Sequence, residues 1–226
     1  MVDVASADTV AVLTRAPSAG GKSRLFAALG TPPDADLLAA LLLDTIEGVM
    51  IPGVRVVVAV TPGDACDEVT RLVSALTAPP ESIEVVEQPE GDLGARMRGT
   101  MARLFDAGAR AVALVGSDLP SITDLPVRAA FDRLAQDRDL LVLGPAVDGG
   151  YYLVAATRVP PVFERITWGS ADVLEQTCAA AAEAGMRVHF VDSLTDVDTL
   201  EDLRTVAASS RTAHWMRRNG IRSRAN

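Results

Sequence analysis

The chain has 226 residues, a formal net charge of -9 and 49% hydrophobic residues. This length is enough to bury the core of one large α/β domain. The negative charge argues against a nucleic-acid partner, because phosphate backbones are bound mainly by Lys and Arg. The longest apolar runs, such as residues 37–43, fall far short of the roughly 20 residues of a membrane helix, so we expect no membrane partner.

The N-terminal segment and the cysteines indicate the compartment. The first residues include Asp3 and Asp8 and lack the positive and apolar regions of a secretory signal. Cys66 and Cys178 are far apart and fit no metal-binding spacing, as expected for reduced thiols. We therefore expect a cytoplasmic protein.

Apolar runs bounded by turn residues alternate with segments of helical periodicity along the chain. The predicted strands are Val10–Leu13, Val54–Val60, Ile83–Glu87, Ala111–Val115, Leu140–Leu143, Tyr151–Ala155 and Arg187–Val191. Helices are predicted from about Ser23 and over Asp36–Met50, Asp64–Leu76, Leu93–Ala107, Leu125–Gln136, Ser170–Ala184 and Thr199–Ala207, with Asp92 and Ser170 as N-caps. This alternation predicts an α/β fold with a single doubly wound, mostly parallel sheet.

One connection breaks the parallel pattern. The strands at 140–143 and 151–155 are separated by GPAVDGG, which is too short for a crossover helix. A mixed sheet is therefore predicted, within one domain that spans residues 1–208. The remaining residues, 209–226, are rich in arginine and are predicted to form a mobile, solvated tail.

The run Ala111–Pro120 predicts a buried strand that ends at Gly116, Ser117 and Asp118. Ligands of open α/β folds bind beyond the carboxyl ends of the strands, where Asp118 could meet a metal or a phosphate. Asp118 could equally cap the turn before Pro120.

The loop after the first predicted strand is glycine-rich and basic. Its sequence APSAGGKS departs from the phosphate-binding pattern GxxxxGK[ST], because Ala16 stands at the first glycine position. Gly20, Gly21 and the following helix N-terminus could still offer N–H groups to a phosphate. Arg15, Lys22 and Arg24 would neutralise its charge, although a flexible loop with solvated cations explains the pattern as well.

Two further segments contain glycines where a ligand could approach the backbone. In EQPEGDLGARM, Gly91, Asp92 and Gly94 lead into a helix, and the amide of Gln88 could read a base edge. In GPAVDGGYYLV, the segment Asp148, Gly149, Gly150 and Tyr151 could form the floor of an acceptor site or a plain Asp-Gly hairpin turn.

Asp196 and Asp198 lie two residues apart in a predicted turn. Two carboxylates at this spacing can face one Mg²⁺ or Mn²⁺ ion, because such ions prefer oxygen ligands and keep phosphates as co-ligands. Asp198 or Thr199 could instead cap the last predicted helix, and the two readings are compatible.

These motifs together resemble a known family. LTRAPSAGGKSRL, EGDLGARM, VGSDLP, LGPAVDGGYYLV, ITWGSADVL and DVDTLEDL occur in this order, over about Val10 to Ala207. They are similar to the DUF2064 family of the nucleotide-diphospho-sugar transferase superfamily, which has the glycosyltransferase-A fold. The family usually has a lysine where Arg15 stands, and Pro-Gly, two further residues and Lys-Thr-Arg-Leu where this chain has SAGGKSRL.

The resemblance implies a site residue by residue. Arg15, Lys22 and Arg24 would hold the nucleotide phosphates, and Gly91 to Gly94 would lie near the nucleoside. Asp118 would bind the divalent metal, and Asp198, with Asp196, would complete the metal site.

Three functions remain open at this stage. The first is a metal-dependent transferase using a nucleotide sugar and a small-molecule acceptor, with Asp148 as the base and with Lys22 and Arg24 stabilising the departing diphosphate. The second is a nucleotidyltransferase that uses an NTP and a phosphorylated acceptor and releases pyrophosphate. The third is a noncatalytic nucleotide-binding protein. All three are compatible with a homodimer.

Overall fold

The computed structural model describes residues 7–76 and 83–224. Its centre is one seven-stranded sheet in the order β3-β2-β1-β4-β6-β5-β7. The strands are β1 (Thr9–Arg15), β2 (Arg55–Thr61), β3 (Ile83–Glu87), β4 (Val112–Gly116), β5 (Leu140–Pro145), β6 (Tyr151–Ala156) and β7 (Arg187–Phe190). Each predicted strand is present, and the bounds differ by at most two residues.

Six of the strands are parallel to one another, and β6 runs against them. β1 pairs in parallel with both β2 and β4, whereas β6 is antiparallel to β4 and to β5. β6 follows β5 after only five residues, so the chain has to return directly. This confirms the predicted mixed α/β sheet.

Both faces of the sheet are buried by helices, and successive residues of a strand point to opposite faces. In β1, Val10 and Val12 join one apolar cluster and Ala11 joins the other. The helices are α1 (Ser23–Leu29), α2 (Ala35–Val49), α3 (Cys66–Val73), α4 (Leu93–Asp106), α5 (Leu125–Gln136), α6 (Val173–Glu183), α7 (Leu200–Arg204) and α8 (Arg211–Arg218). This two-sided cover explains why the central strands are almost entirely apolar.

The helix caps test three sequence predictions. Asp92 caps α4, with its carboxylate accepting from the N–H of Ala95 at 2.8 Å. The cap predicted at Ser170 is wrong, because α6 begins at Val173 and Ser170 accepts instead from the N–H of Asp172. Thr199 caps α7 in a reciprocal capping box, which leaves the Asp198 side chain available for other contacts.

The prediction of a mobile C-terminal tail is wrong for α8. Trp215 and Met216 are buried in a third apolar cluster, beside Leu37 of α2. The buried carboxylate of Asp44, also on α2, accepts from the backbone N–H groups of Arg211 and Thr212 at 3.0 and 2.8 Å. Arg217 and Arg218 are exposed on the outer face of this docked helix, whereas Arg211 pairs with Glu47 of α2. No helix in the described ranges is long and apolar enough to span a membrane.

Candidate functional site

The candidate site lies at the carboxyl edge of the sheet, where the loops after β1, β4 and β5 meet the segment after β7. The chain winds from β1 outward to β2 and β3, then returns to β4 on the other side of β1. The space between the ends of β1 and β4 is thus the topological switch point, at which open α/β folds bind their ligands.

Backbone hydrogen bonds bring these loops together. The N–H of Val197 donates to the carbonyl of Asp118 at 2.9 Å, which joins the last loop to the end of β4. The parallel pairing of β5 with β7 continues as a bridge between Ala146 and Leu194. Residues 146–150 and 194–198 therefore lie side by side, although almost fifty residues separate them in sequence.

Three carboxylates converge at this junction. Oxygen atoms of Asp148, Asp196 and Asp198 lie within 4.8 Å of one another. Burial and the neighbouring charge of Asp198 raise the pKa of Asp196 above its ordinary value, and the attraction of Lys22 offsets this only in part. Mg²⁺ and Mn²⁺ prefer oxygen ligands such as carboxylates. The three aspartates therefore fit such an ion.

Asp118 lies outside this trio and is paired with Lys22. The ammonium Nζ of Lys22 lies 2.7 Å from Oδ2 of Asp118 and 2.5 Å from Oδ1 of Asp198. Burial alone would lower the pKa of Lys22, but the two carboxylates outweigh burial and raise the pKa above its ordinary value. Asp118 and Lys22, which were expected to bind the metal and the phosphates, are thus paired with each other in the structure.

The first loop has a backbone that only glycine adopts easily. Gly20 and Gly21 have φ angles of 69° and 144°, and Lys22 continues in the left-handed region at 52°. Arg15 and Arg24 are exposed, and Arg15 donates to the carbonyl of Ala19 at 3.4 Å. The loop therefore presents two exposed cations beside a lysine that points into the acidic centre.

Gln88 does not read a base with its amide nitrogen. The side chain is 6% exposed, and Nε2 donates to the carbonyls of Thr14 and Ala59 at 2.9 and 2.8 Å. These two bonds use both hydrogens of the amide. Gln88 thus links β1 and β2 to the end of β3. This corrects the interpretation that its amide reads the edge of a nucleotide base.

The segment from Gly91 to Gly94 lies beside a tryptophan that the sequence reasoning missed. A Cβ added at Gly94 would lie 2.4 Å from the carbonyl of Phe163 and 2.8 Å from the indole nitrogen of Trp168. Only glycine allows this approach. Gly91 has a φ of 116°, which also favours glycine. The signal was present in the sequence, since Trp168 stands in the ITWGS motif.

The turn between β5 and β6 holds Asp148 in place. The N–H of Gly150 donates to Oδ1 of Asp148 at 2.9 Å, and Gly149 has a φ of 92°. A Cβ at Gly149 would lie 2.1 Å from the carbonyl of Ala171. The turn thus forms a hairpin and also holds the carboxylate of Asp148 in place. The interpretation of DGG as a hairpin turn is therefore compatible with a role in the site.

A cleft of about 300 Å³ opens beside the acids. Tyr151 and Trp168 meet there edge to face, with ring centroids 6.4 Å apart. The Tyr151 hydroxyl is buried, and burial raises its pKa above the usual range, so it stays protonated at neutral pH. The cleft is lined mainly by apolar groups and by the carboxylates of Asp118, Asp148 and Asp196; its apolar lining includes Leu13, Leu93, Met97, Tyr151, Trp168 and Val173.

A second residue that sequence reasoning missed supports the end of β4. The hydroxyl of Thr45, on α2, accepts from the N–H of Leu119 at 3.0 Å, and the carbonyls of Leu41 and Ser117, at 2.9 and 3.0 Å, share its one hydrogen. This fixes the turn that carries Asp118. Ser117 contributes its backbone to the turn, and a threonine within an apolar helix gives no sequence signal of this role.

Comparisons with known proteins agree with this architecture. A model of the family described as "Uncharacterized protein conserved in bacteria (DUF2064)" matches residues 46–170. The crystal structure of a proposed nucleotide-diphospho-sugar transferase from Desulfovibrio desulfuricans G20 is 30% identical, with a TM-score of 0.80, and the match covers 96% of this chain and 95% of that one. No curated protein matches this chain in sequence.

More distant structures share the fold alone. A CMP:2-keto-3-deoxy-manno-octonic acid synthetase complexed with CTP is 14% identical, with a TM-score of 0.53 and coverage of 85% of this chain and 93% of that one. A 4-diphosphocytidyl-2C-methyl-D-erythritol synthase from Anaerococcus prevotii DSM 20548 is 11% identical, with a TM-score of 0.54 and coverage of 87% and 94%. These structures confirm the predicted nucleotide-diphospho-sugar transferase fold, and the 30% identical structure also bears out the predicted enzyme class, transferase.

Proposed function

Because this chain belongs to the DUF2064 family, we propose that it is a metal-dependent transferase that moves a sugar from a nucleotide-activated donor to a small acceptor. The observation that carries the proposal is the junction of opposite charges at the switch point. Three carboxylates converge there, next to a glycine-rich loop with exposed Arg15 and Arg24. A nucleoside diphosphate with a divalent ion fits this pattern, because the ion bridges carboxylates and phosphates.

In this proposal, Asp148, Asp196 and Asp198 hold Mg²⁺ or Mn²⁺, which supplies positive charge to the departing diphosphate. Arg15, Arg24 and the N–H groups near the start of α1 bind the phosphates and stabilise the charge that grows on them. The carboxylate of Asp148 lies close to two other carboxylates. This favours a role as a metal ligand over its predicted role as the base that deprotonates the acceptor.

The acceptor would occupy the cleft beside the acids. Among the described residues that line it there is no Lys or Arg, whereas three carboxylates are present. Such a lining disfavours a phosphorylated acceptor, because a buried or half-buried phosphate needs cationic partners. The apolar walls suit an acceptor with an uncharged body, and this supports glycosyl transfer over transfer of a nucleotidyl group to a phosphorylated substrate.

A donor screen tests the proposal. The protein is incubated with nucleotide sugars and Mn²⁺ or with EDTA, and released nucleoside diphosphate and pyrophosphate are quantified separately. We expect diphosphate release with Mn²⁺ only, lowered by about 10²-fold or more in Asp198→Asn. Asp192→Asn is the matched control, because Asp192 is exposed on the same segment and lies outside the trio.

Two results would contradict this function. Pyrophosphate release from an NTP with a phosphorylated acceptor would establish the nucleotidyltransferase. Nucleotide binding without turnover of any nucleotide sugar or NTP would support the noncatalytic alternative.

A further inference from the structure

Lys22 is the single lysine of a chain that has 21 basic residues, and all the others are arginines. The two side chains differ in the way they meet anions. Arginine presents a planar fork, whereas lysine is a compact point charge on a flexible stem of four carbons. The one lysine therefore puts a compact cation on a flexible stem between the carboxylates of Asp118 and Asp198.

The ammonium group of Lys22 neutralises the acidic centre from one side. It contacts Asp118 at 2.7 Å and Asp198 at 2.5 Å, and its side chain is only 10% exposed. Asp198 also belongs to the trio that fits a divalent ion. The same carboxylate thus faces two cations, and an ion bound to the trio would lie a few ångström from the lysine charge. Two like charges at that distance repel each other strongly in a half-buried site.

The glycine-rich backbone around Lys22 lies beside the exposed cations of the first loop. Gly20 and Gly21 precede it with positive φ angles, and α1 begins directly after it at Ser23. Arg15 and Arg24 flank this segment and are exposed. Phosphates bound there would lie within reach of the flexible lysine stem and would offer it a new anionic partner.

We propose that Lys22 is an exchangeable counter-ion of the metal site. Without ligand its ammonium group neutralises Asp118 and Asp198 and weakens the binding of a divalent ion on its own. When the nucleotide diphosphate binds, Lys22 moves to the phosphates and Asp198 becomes free for the ion. The metal and the nucleotide then bind with positive coupling, which is reciprocal by thermodynamic necessity. This inference rests on the proposed function for the identity of the ligands.

Metal affinity in the absence of nucleotide tests the exchange. Free Mn²⁺ is measured by electron paramagnetic resonance in titrations of the wild type, Lys22→Met, Lys22→Arg and Arg218→Met. We expect Lys22→Met to bind Mn²⁺ at least about fivefold more tightly than the wild type, because the competing charge is gone. Lys22→Arg should stay as weak as the wild type. Arg218→Met is the matched control and should not change, because Arg218 is exposed on α8, outside the candidate site, and the structure records no ion pair for it among the described residues.

A second readout follows the lysine itself. Because the chain has one lysine, labelling with [¹³C]lysine gives one set of side-chain NMR signals. We expect saturating Mg²⁺ to shift the Cε signal, since the ion displaces the ammonium group. An unmoved signal at saturation, or equal Mn²⁺ affinity of Lys22→Met and wild type, would overturn the exchange.

The outcomes separate this inference from the proposed function. Metal-dependent transfer of a sugar together with unchanged Mn²⁺ affinity in Lys22→Met would overturn the exchange alone. Absence of Mn²⁺ binding in all four proteins would overturn the metal dependence and the exchange together. Circular dichroism of each variant establishes that the fold is retained.

Discussion

The raised pKa of Asp196 leads to a prediction about the stability of the protein. Its pKa is raised by burial and by the charge of Asp198, so ionising it costs more in the folded state than in the unfolded chain. That cost is absent below the ordinary pKa of an aspartate, about 3.9. It grows as the pH rises through the raised folded value and is fully present above it. Asp196 therefore carries a cost in stability that a bound cation would relieve.

We predict that Asp196→Asn raises the melting temperature at pH 7 in EDTA by at most about 2 °C, because the carboxyl group is only partly buried and solvent screens its charge. The gain should shrink below about pH 4, where the wild-type carboxyl is protonated. The same variant should bind Mn²⁺ more weakly. A lower melting temperature than the wild type at pH 7 would show that the carboxylate is stabilised by its surroundings.

At the scale of elements, the docking of α8 depends on one buried carboxylate. Asp44 is 7% exposed and accepts hydrogen bonds from the first N–H groups of α8 and from the Thr212 hydroxyl. The side chain of Arg211 adds an ion pair with Glu47, which is exposed. Asp44 thus satisfies two N–H groups at the start of α8, while the cap residue Ser210 accepts from the N–H of Ala213.

We predict that Asp44→Ala lowers the free energy of unfolding by about 2–4 kcal/mol, because it leaves buried N–H groups without a partner. Glu47→Gln is the control and should cost less than about 1 kcal/mol, as expected for an exposed ion pair. Urea titrations measure both. Equal and small effects would indicate that α8 contributes little to stability and that the segment behaves as the solvated tail expected from its arginines.

Some elements could be predicted from the sequence, and others could not. The strands were predictable because double burial makes them continuous apolar runs, and β6 was predictably antiparallel because its connection is short. Helix α8 was missed because its arginines dominate the composition, although Trp215 and Met216 lie on one buried face. The roles of Gln88 and Thr45 depend on contacts between distant elements, which no local pattern encodes.

At the scale of the whole molecule, the acids of the site were all selected from the sequence, but their grouping was not. Asp148 meets Asp196 and Asp198 because β7 pairs with β5 and the pairing extends to Ala146 and Leu194. The ammonium of Lys22 links Asp118 to Asp198, one of the trio. Strand order and register decide both facts, and neither can be read from motif spacing.

The location of a bound ion is the most direct test of the account. Crystals of the protein with Mn²⁺ and the nucleoside diphosphate selected by the donor screen would show the ion by anomalous scattering. We predict one ion bound by carboxylate oxygens of Asp148, Asp196 and Asp198 and in contact with the diphosphate. An ion held by Asp118 without the trio, or a diphosphate bound with no ion at the carboxyl edge of the sheet, would contradict it.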